Sequence, residues 1–586
     1  MEESRNRVSL LRLAPEIWKY QTFTKLALAL IFAAIRLSAL FLLHSAGRVA
    51  VSSGDYRFLF HTWQGPLIIA LFLASGFLCV SVDLNVKILY AGNVMDGVTE
   101  PVLSTVKRAF LALPKFLNIH GVGVVLYVTL VAPVVGTGLG VSLTENLKIP
   151  NFISSVIEAT PLYNVLYTLL SLLFAAVGIS HIFCLHGVLL DGLSVREARR
   201  RSNALMRKHW RNYWAQNIFY SLRMLGWIAL SLSLLFLLPL AVAGHFLRNS
   251  ANETLLRFAA ILILFLGAAL FGLASLLATP YYILRITKLY REYSAGKSVS
   301  VPERAVGRFR FSVALSVAAI LGSVGLSALA AQNFDAFFPL HTVTQVVAHR
   351  GGGNEGTENT VSGLEAAVSL GAYGSEIDIQ RTLDGHYIVN HDATFQRIAG
   401  DSRTPGEMTL EETKRLRVQG SGDSVATLEE MLDAAKGRIL LFVELKGASA
   451  DREMCDDAVR IIRERDMVDG TVLISLKYEL IDYIETHYPE IQTGYLTFLS
   501  YGDTVRLRCD YLGLEEESVT ASAIDAVHAQ GKKLLVWTPN EPESQERFLS
   551  MKADAIITDN VAQANDILER LNRRNDFERI LSAFRQ

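Results

Sequence analysis

Seven stretches of roughly 18 or more apolar residues, near 24–44, 65–84, 120–142, 163–189, 216–243, 258–284 and 311–331, crowd into the first 332 residues of this 586-residue chain. A helix of about 20 apolar residues crosses the hydrocarbon core of a bilayer. Only helices and closed barrels satisfy their own backbone there. The pattern predicts an all-α polytopic membrane domain over residues 1–340 and excludes one soluble globule for the whole chain. The first run is too long and too internal for a cleaved signal peptide.

The basic residues set the expected orientation. They gather before the first run (Arg5, Arg7, Arg12, Lys19, Lys25), in the second loop (Lys87, Lys107, Arg108, Lys115), in the fourth (Arg196 to Arg211) and in the sixth (Arg285 to Arg310). The loops between are poor in Lys and Arg. Cytoplasmic loops carry that excess, so the alternation predicts a cytoplasmic N-terminus and an extracytoplasmic C-terminal domain at a plasma membrane. Arg36 and Arg223 interrupt two runs, either snorkelling to the surface or facing the bundle interior. Two basic segments begin alike, at Asp96-Gly97 and Asp191-Gly192. They read equally as an internal repeat or as two solvated loops. A net charge of -1 gives no bulk attraction to nucleic acid. Of the four cysteines, Cys79 and Cys184 lie in apolar runs, and a Cys455–Cys509 disulfide stays open.

From about residue 343 short apolar runs alternate with charged, helix-like segments, the signature of parallel strands joined by crossover helices. Strands are expected at 345–349, 375–380, 439–445, 472–475, 492–496, 511–514, 533–537 and 555–557. Helices are expected at 360–370, 451–465, 478–487, 521–530, 541–551 and 562–571. Eight such units in about 240 residues fit a closed α/β TIM barrel, (β/α)₈, over 341–586. A hairpin arm at 386–389 would bring His391 back over the mouth. Catalytic residues of this fold gather at the C-terminal ends of its strands, and polar residues concentrate there: His349-Arg350-Gly351, Glu376 and Asp378, Glu444-Leu445-Lys446, Trp537-Thr538 and Thr558-Asp559.

Glu376 and Asp378 stand two apart on one strand and share a face; Glu444, on the next strand, can face them. Three converging carboxylates repel unless a cation sits among them, and hard oxygens suit Ca²⁺ or Mg²⁺. The competing reading pairs them with Arg350, Arg381 and Lys446. His349 and His391 can divide acid and base roles near neutral pH. Arg350 offers a fork for phosphate and Lys446 a point charge. Trp537 is either an apolar wall for a glycerol face or a core aromatic. Gly351-Gly352-Gly353-Asn354 is either a phosphate-hugging turn or a tight connection.

In this order, Ala348-His349-Arg350-Gly351, Glu358-Asn359-Thr360, Glu376-Ile377-Asp378, Asp384-Gly385 to His391-Asp392, Glu444-Leu445-Lys446, Trp537-Thr538 and Ile557-Thr558-Asp559 resemble the glycerophosphodiester phosphodiesterase family, over roughly 344–572. The apolar half looks like the membrane domain of some bacterial members. The resemblance implies a barrel of the phosphatidylinositol-phospholipase-like type and cleavage of glycerophosphodiesters to glycerol 3-phosphate and an alcohol. It implies one divalent cation on Glu376, Asp378 and Glu444, acid–base roles for His349 and His391, and phosphoryl contacts from Arg350 and Lys446. It also implies a route in which the substrate's own hydroxyl forms a cyclic phosphate that water opens. The expected substrates are lipid headgroups, lysophospholipids or teichoic-type glycerol-phosphate polymers. Thr357 and Pro539 depart from the family pattern, and the short stretch from His391 to Leu428 predicts an open mouth. Two other readings stand beside this one: a phospholipase C- or D-type enzyme ending at the cyclic phosphate, and a transporter or scaffold with a degenerate barrel. A dual role, lipid movement plus cleavage, is compatible with both halves.

Overall fold

Long apolar runs and alternating short ones bury their surface by different means, and the computed structural model divides accordingly into two units. One comprises Met1–Ala39, Leu67–Ile149 and Ile153–Phe337; the other Leu40–Pro66, Pro150–Phe152 and Phe338–Gln586. The structure describes residues 13–52, 56–126, 154, 157–158, 160–233, 253–296, 310–340, 343–498 and 500–585.

The first unit is helical. Among the described residues three helices are long and apolar enough to cross a membrane: Glu16–Ser45, Gln64–Met95 and Pro161–Leu190. They carry the runs at 24–44, 65–84 and 163–189. The runs at 258–284 and 311–331 lie in the helices Glu253–Ala295 and Arg310–Gln332. Those at 120–142 and 216–243 fall partly outside the described residues. Arg36 and Arg223 sit on exposed helix faces. The two Asp-Gly segments are structurally alike. Gly97 and Gly192 both take the left-handed conformation, at φ 67° and 71°, as helix-terminating glycines do. Asp96 and Asp191 both receive Arg291, at 2.8 and 3.5 Å.

The strands run β1 Ala50–Ser52, β2 Gln345–Ala348, β3 Gly374–Arg381, β4 Tyr387–Val389, β5 Leu440–Leu445, β6 Thr471–Ser475, β7 Gln492–Thr497, β8 Ser500–Gly502, β9 Tyr511–Glu515, β10 Lys533–Trp537 and β11 Ala555–Thr558. Eight of them, in the order β2-β3-β5-β6-β7-β9-β10-β11, pair in parallel, and β11 closes back onto β2. All eight expected strands are present. Alternate residues divide between two cores. Val347, Phe442, Val472, Ile474, Leu496, Leu535 and Ile557 fill the barrel interior. Their neighbours Val346, Leu441, Val443, Leu473, Leu534 and Ile556 join the buried cluster that includes the surrounding helices. The helices expected from spacing appear at Val361–Ser369, Arg452–Glu464, Tyr478–His487, Ala521–His528, Pro542–Ser550 and Val561–Asn572. Their apolar stripes carry the burial: Met454, Cys455, Ala458, Val459, Ile461 and Ile462 on Arg452–Glu464 are all buried. Asp451 caps that helix by accepting from Met454 N at 2.9 Å. All four cysteines are free thiols, so Cys455 and Cys509 form no disulfide.

Two features go beyond the sequence reading. The stretch between His391 and Leu428 is a lobe with its own buried cluster of Ile388, Phe395, Ile398, Met408, Val418 and Val425. And β1, five residues beyond the end of the first apolar helix, pairs antiparallel with β8 in the connection that leaves β7. Ala50, Val51 and Ser52 are buried there, and Ser52 Oγ and Tyr495 Oη are hydrogen-bonded.

Candidate active site

The pleat aims the acids inward. Glu376 pairs in register with Phe442, an interior residue, and Asp378 pairs with Glu444, which pairs with interior Ile474. Cross-strand partners share a face, so all three carboxyls enter the barrel at the C-terminal end of neighbouring strands. One ligand oxygen from each lies within 4.8 Å of the others, and all three side chains are buried.

Local chain geometry brings the histidines to this cluster. After β2 the chain turns sharply: Arg350 has φ 51° and Gly351 and Gly353 have φ 90° and 63°. A Cβ on Gly353 would stand 2.4 Å from Asp559 O, so this turn needs glycine for close approach as well as for its dihedral. The turn is tied to β3 through Arg350 N to Glu376 Oε2 (2.9 Å) and Ser375 Oγ to Gly351 O (2.6 Å). His349 Nε2 then lies 3.9 Å from Glu376 Oε2, while its Nδ1 meets Asp559 Oδ1 at 2.7 Å. His391 arrives by the hairpin arm. β4 pairs antiparallel with β3, Asn390 N donates to Asp378 O (2.9 Å), and Gln380 Nε2 donates to the carbonyls of Asn390 and Asp392 (2.7 Å each). His391 Nδ1 meets Asp392 Oδ1 at 2.9 Å. Each imidazole is thus held at Nδ1 by a carboxylate, which leaves Nε2 for chemistry.

A relay the sequence did not single out braces the second pair. Arg397, from the His391–Leu428 lobe, donates to both oxygens of Glu358 (2.6 Å each) and to Asp392 (2.8 Å). Arg350 Nη1 stands 3.7 Å from Glu358. Asn359, left-handed at φ 54°, donates to Asp378 Oδ2 at 3.0 Å. Asn540 donates to Asp559 Oδ2 at 2.6 Å. Glu515, buried at the end of β9, pairs in register with Trp537. Glu358, Asn359, Asp392 and Asp559 all belong to the motifs quoted above; Arg397, Asn540 and Glu515 do not.

The electrostatics fit a cation. Burial raises the Glu376 carboxyl well above its usual range, with Asp378 and Glu444 adding repulsion. Burial likewise pushes Glu444 up to about 7, against the pull of Lys446. Asp378 is held low because Lys446 and His391 outweigh its burial. Burial lowers His391, partly offset by Asp378. Lys446 Nζ donates to Asp378 Oδ1 (2.8 Å) and Glu444 Oε2 (3.1 Å), so it neutralises part of the cluster. Arg381, considered as a third neutralising cation, is engaged elsewhere, by Asp451 and Glu453 at 2.7 and 2.5 Å. One ammonium against three buried carboxyls leaves the set under-neutralised, and three hard oxygens match a divalent alkaline-earth ion. Trp537 packs against the interior cluster.

Residues 349–563 match the glycerophosphoryl diester phosphodiesterase family, and residues 12–322, more than half of the chain, match the membrane domain of glycerophosphoryl diester phosphodiesterase. The chain belongs to this family. It is a glycerophosphodiester phosphodiesterase with an apolar helical membrane domain, which sets aside the transporter or scaffold with a degenerate barrel. Among its relatives, a glycerophosphodiester phosphodiesterase of Caldanaerobacter subterraneus is 27% identical over 228 residues, 37% of this chain and 94% of that one. One of Bacillus altitudinis is 26% identical over 253 residues, 39% of this chain and all of that one. A crystal structure of a glycerophosphodiester phosphodiesterase from Parabacteroides distasonis is 27% identical, covers 39% of this chain and 98% of its own, and superposes with a TM-score of 0.36.

Proposed function

We propose that this phosphodiesterase cleaves glycerophosphodiesters of the envelope, namely deacylated or lyso-lipid headgroups or glycerol-phosphate polymers, to glycerol 3-phosphate and an alcohol. We place its barrel outside a bacterial plasma membrane. The observation that carries the chemistry is the juxtaposition of the buried trio Glu376, Asp378 and Glu444 with two carboxylate-held histidines.

Glu376, Asp378 and Glu444 would hold one divalent cation, Ca²⁺ or Mg²⁺, which supplies Lewis acidity and charge neutralisation at the phosphoryl group. His349, with Nδ1–H donated to Asp559, presents a basic Nε2, and His391 is prepared likewise by Asp392. In-line displacement at phosphorus needs a base for the entering hydroxyl and an acid for the leaving oxygen. One histidine takes the proton of the substrate's glycerol hydroxyl, the other protonates the departing alcohol, and the roles reverse when water opens the cyclic phosphate. Arg350 binds a phosphoryl oxygen. Trp537, on the floor of the mouth, offers an apolar face to the glycerol carbons. The His391–Leu428 lobe braces His391, and the rest of the rim remains available to bulky substrates.

The parity of membrane crossings supports the location. β1 follows the first apolar helix and is hydrogen-bonded to β8, in the connection between barrel strands β7 and β9. A loop after one crossing lies opposite the N-terminus, so a barrel paired to it follows an odd number of crossings. Seven satisfies that, and the basic residues favour a cytoplasmic N-terminus. The test is turnover of a panel of glycerophosphodiesters, lysophospholipids and glycerol-phosphate polymer by the full chain in detergent, with phosphorus NMR of the products. Glycerol 3-phosphate supports the reading; accumulation of cyclic phosphate as the end product favours the phospholipase-type alternative instead.

A further inference from the structure

Far from the barrel in sequence, the helical unit encloses a cavity of about 290 Å³, near the lower end of the ~300–1,000 Å³ of typical ligand sites. Its walls are apolar: Leu84 and Ile88 of Gln64–Met95, Ile182 and Leu185 of Pro161–Leu190, and Ile283 and Ile286 of Glu253–Ala295. One part of the lining is of another kind. Arg199, His181, His186 and His120 all border it. Arg199 is half-buried and has no ion pair among the described residues. His181 gives Nδ1 to the carbonyl of Val177 at 2.7 Å, which turns Nε2 away from its own helix. That Nε2 is buried and has no hydrogen-bond partner. His186 is fixed by Nε2 on Thr287 Oγ1 at 3.0 Å.

An unsatisfied buried imidazole beside an apolar cleft is costly until a ligand completes it, and a half-buried guanidinium with no ion pair among the described residues borders the same cleft. The partner must be anionic at one end, to take the Arg199 fork, and hydrocarbon at the other. The cleft has room for a segment of one acyl chain, not for a whole lipid. We propose that this cavity is a binding site for a membrane glycerophospholipid with a hydroxyl-bearing headgroup, its phosphate on Arg199, a headgroup hydroxyl donating to His181 Nε2 and the first part of one acyl chain between Leu84, Leu185 and Ile283. The remainder of the lipid stays in the bilayer. The cavity shares no residue with the catalytic cluster, so its occupancy and the barrel's chemistry are independent claims.

The experiment uses the full chain in detergent and a short-chain fluorescent phosphatidylglycerol, with binding read by polarisation. Competition by unlabelled phosphatidylglycerol, oleate and diacylglycerol separates the possible occupants. The wild type binds phosphatidylglycerol, displaced by neither oleate nor diacylglycerol at equal concentration. Arg199→Ala weakens binding about tenfold or more, and Arg199→Lys restores most of it. Gly123 lines the same cavity, and a Cβ there meets nothing within 4 Å. Gly123→Phe, whose Cβ has open space around it, adds a ring at the cleft and abolishes binding, a variant that does not depend on how Arg199→Ala folds. Equal displacement by diacylglycerol, equal displacement by oleate, or undiminished affinity in Arg199→Ala or Gly123→Phe each overturns the proposal.

Discussion

Asp559→Asn is the sharpest test of how the site works, because the surrounding bonds dictate what an amide must do there. Asn540 Oδ1 accepts from Asp559 N at 2.8 Å, so Asn540 Nδ2 is the atom donating to Asp559 Oδ2 at 2.6 Å. An asparagine at 559 must therefore turn its own oxygen toward Asn540 and its NH₂ toward His349 Nδ1. That imidazole nitrogen, now facing a donor, has to be unprotonated, and the ring proton moves to Nε2, the atom needed as base. The alternative orientation faces two NH₂ groups against each other. A hydrogen bond to a charged group contributes about 1.5–3 kcal/mol. At 1.36 kcal/mol per tenfold in rate, its loss lowers kcat by about 10- to 150-fold. Substrate affinity moves little, since Asp559 acts through His349. The assay is glycerol 3-phosphate release over a full substrate range, separating kcat from KM. Asp559→Asn with kcat within threefold of wild type, or with the whole loss in KM, refutes the tautomer argument.

Chelation or Glu376→Gln should abolish turnover by 100-fold or more, with Ca²⁺ or Mg²⁺ restoring the chelated enzyme but not the variant; full activity in excess chelator would sink the cation assignment. Without an ion, stability should fall as pH rises from about 4.5 through about 7: Glu444 is raised to about 7 in the fold, so the folded state binds the proton that the unfolded state has already lost. The shift amounts to about 3 kcal/mol, measured by denaturant titration at pH 5 and 8, and a flat profile contradicts it. Detaching β1 should loosen the barrel. Residues 338–586 alone lack the buried Val51 and the Ser52 partner of Tyr495. Burial of a valine and satisfaction of a buried hydroxyl are together worth about 3–5 kcal/mol. The isolated barrel should melt several degrees below a version carrying residues 46–66 on a linker, and equal melting temperatures would show β1 to be dispensable. Arg397→Ala should reduce kcat about tenfold by freeing Asp392, with rescue by lysine incomplete because the fork to Glu358 is lost; kcat unchanged would remove the lobe from the mechanism.

Much of the barrel was legible because its signal is local. The short apolar run at 439–445 and the i, i+3, i+4 stripe in 451–465 mark a strand and a helix from a few residues each, and both elements end within one residue of expectation. The acids Glu376 and Asp378 were readable on the same ground, two apart on one strand. The segment 392–427 is short, which by itself predicts an open mouth. It forms a lobe instead, because Phe395, Ile398 and Met408 find a shared core with Ile388 of β4. The pairing of Lys446 with Asp378 and Glu444 follows from strand register.

From the chain's order of residues come the apolar runs, the eight alternating units and the inward acids, all properties of composition and periodicity over short windows. Tertiary structure alone chose the partners. Asp559 meets His349 across 210 positions and Ser52 meets Tyr495 across 443, because barrel closure and the pairing of β1 with β8 bring those atoms together. Such contacts obey shape and register rather than sequence spacing, so no local pattern announces them.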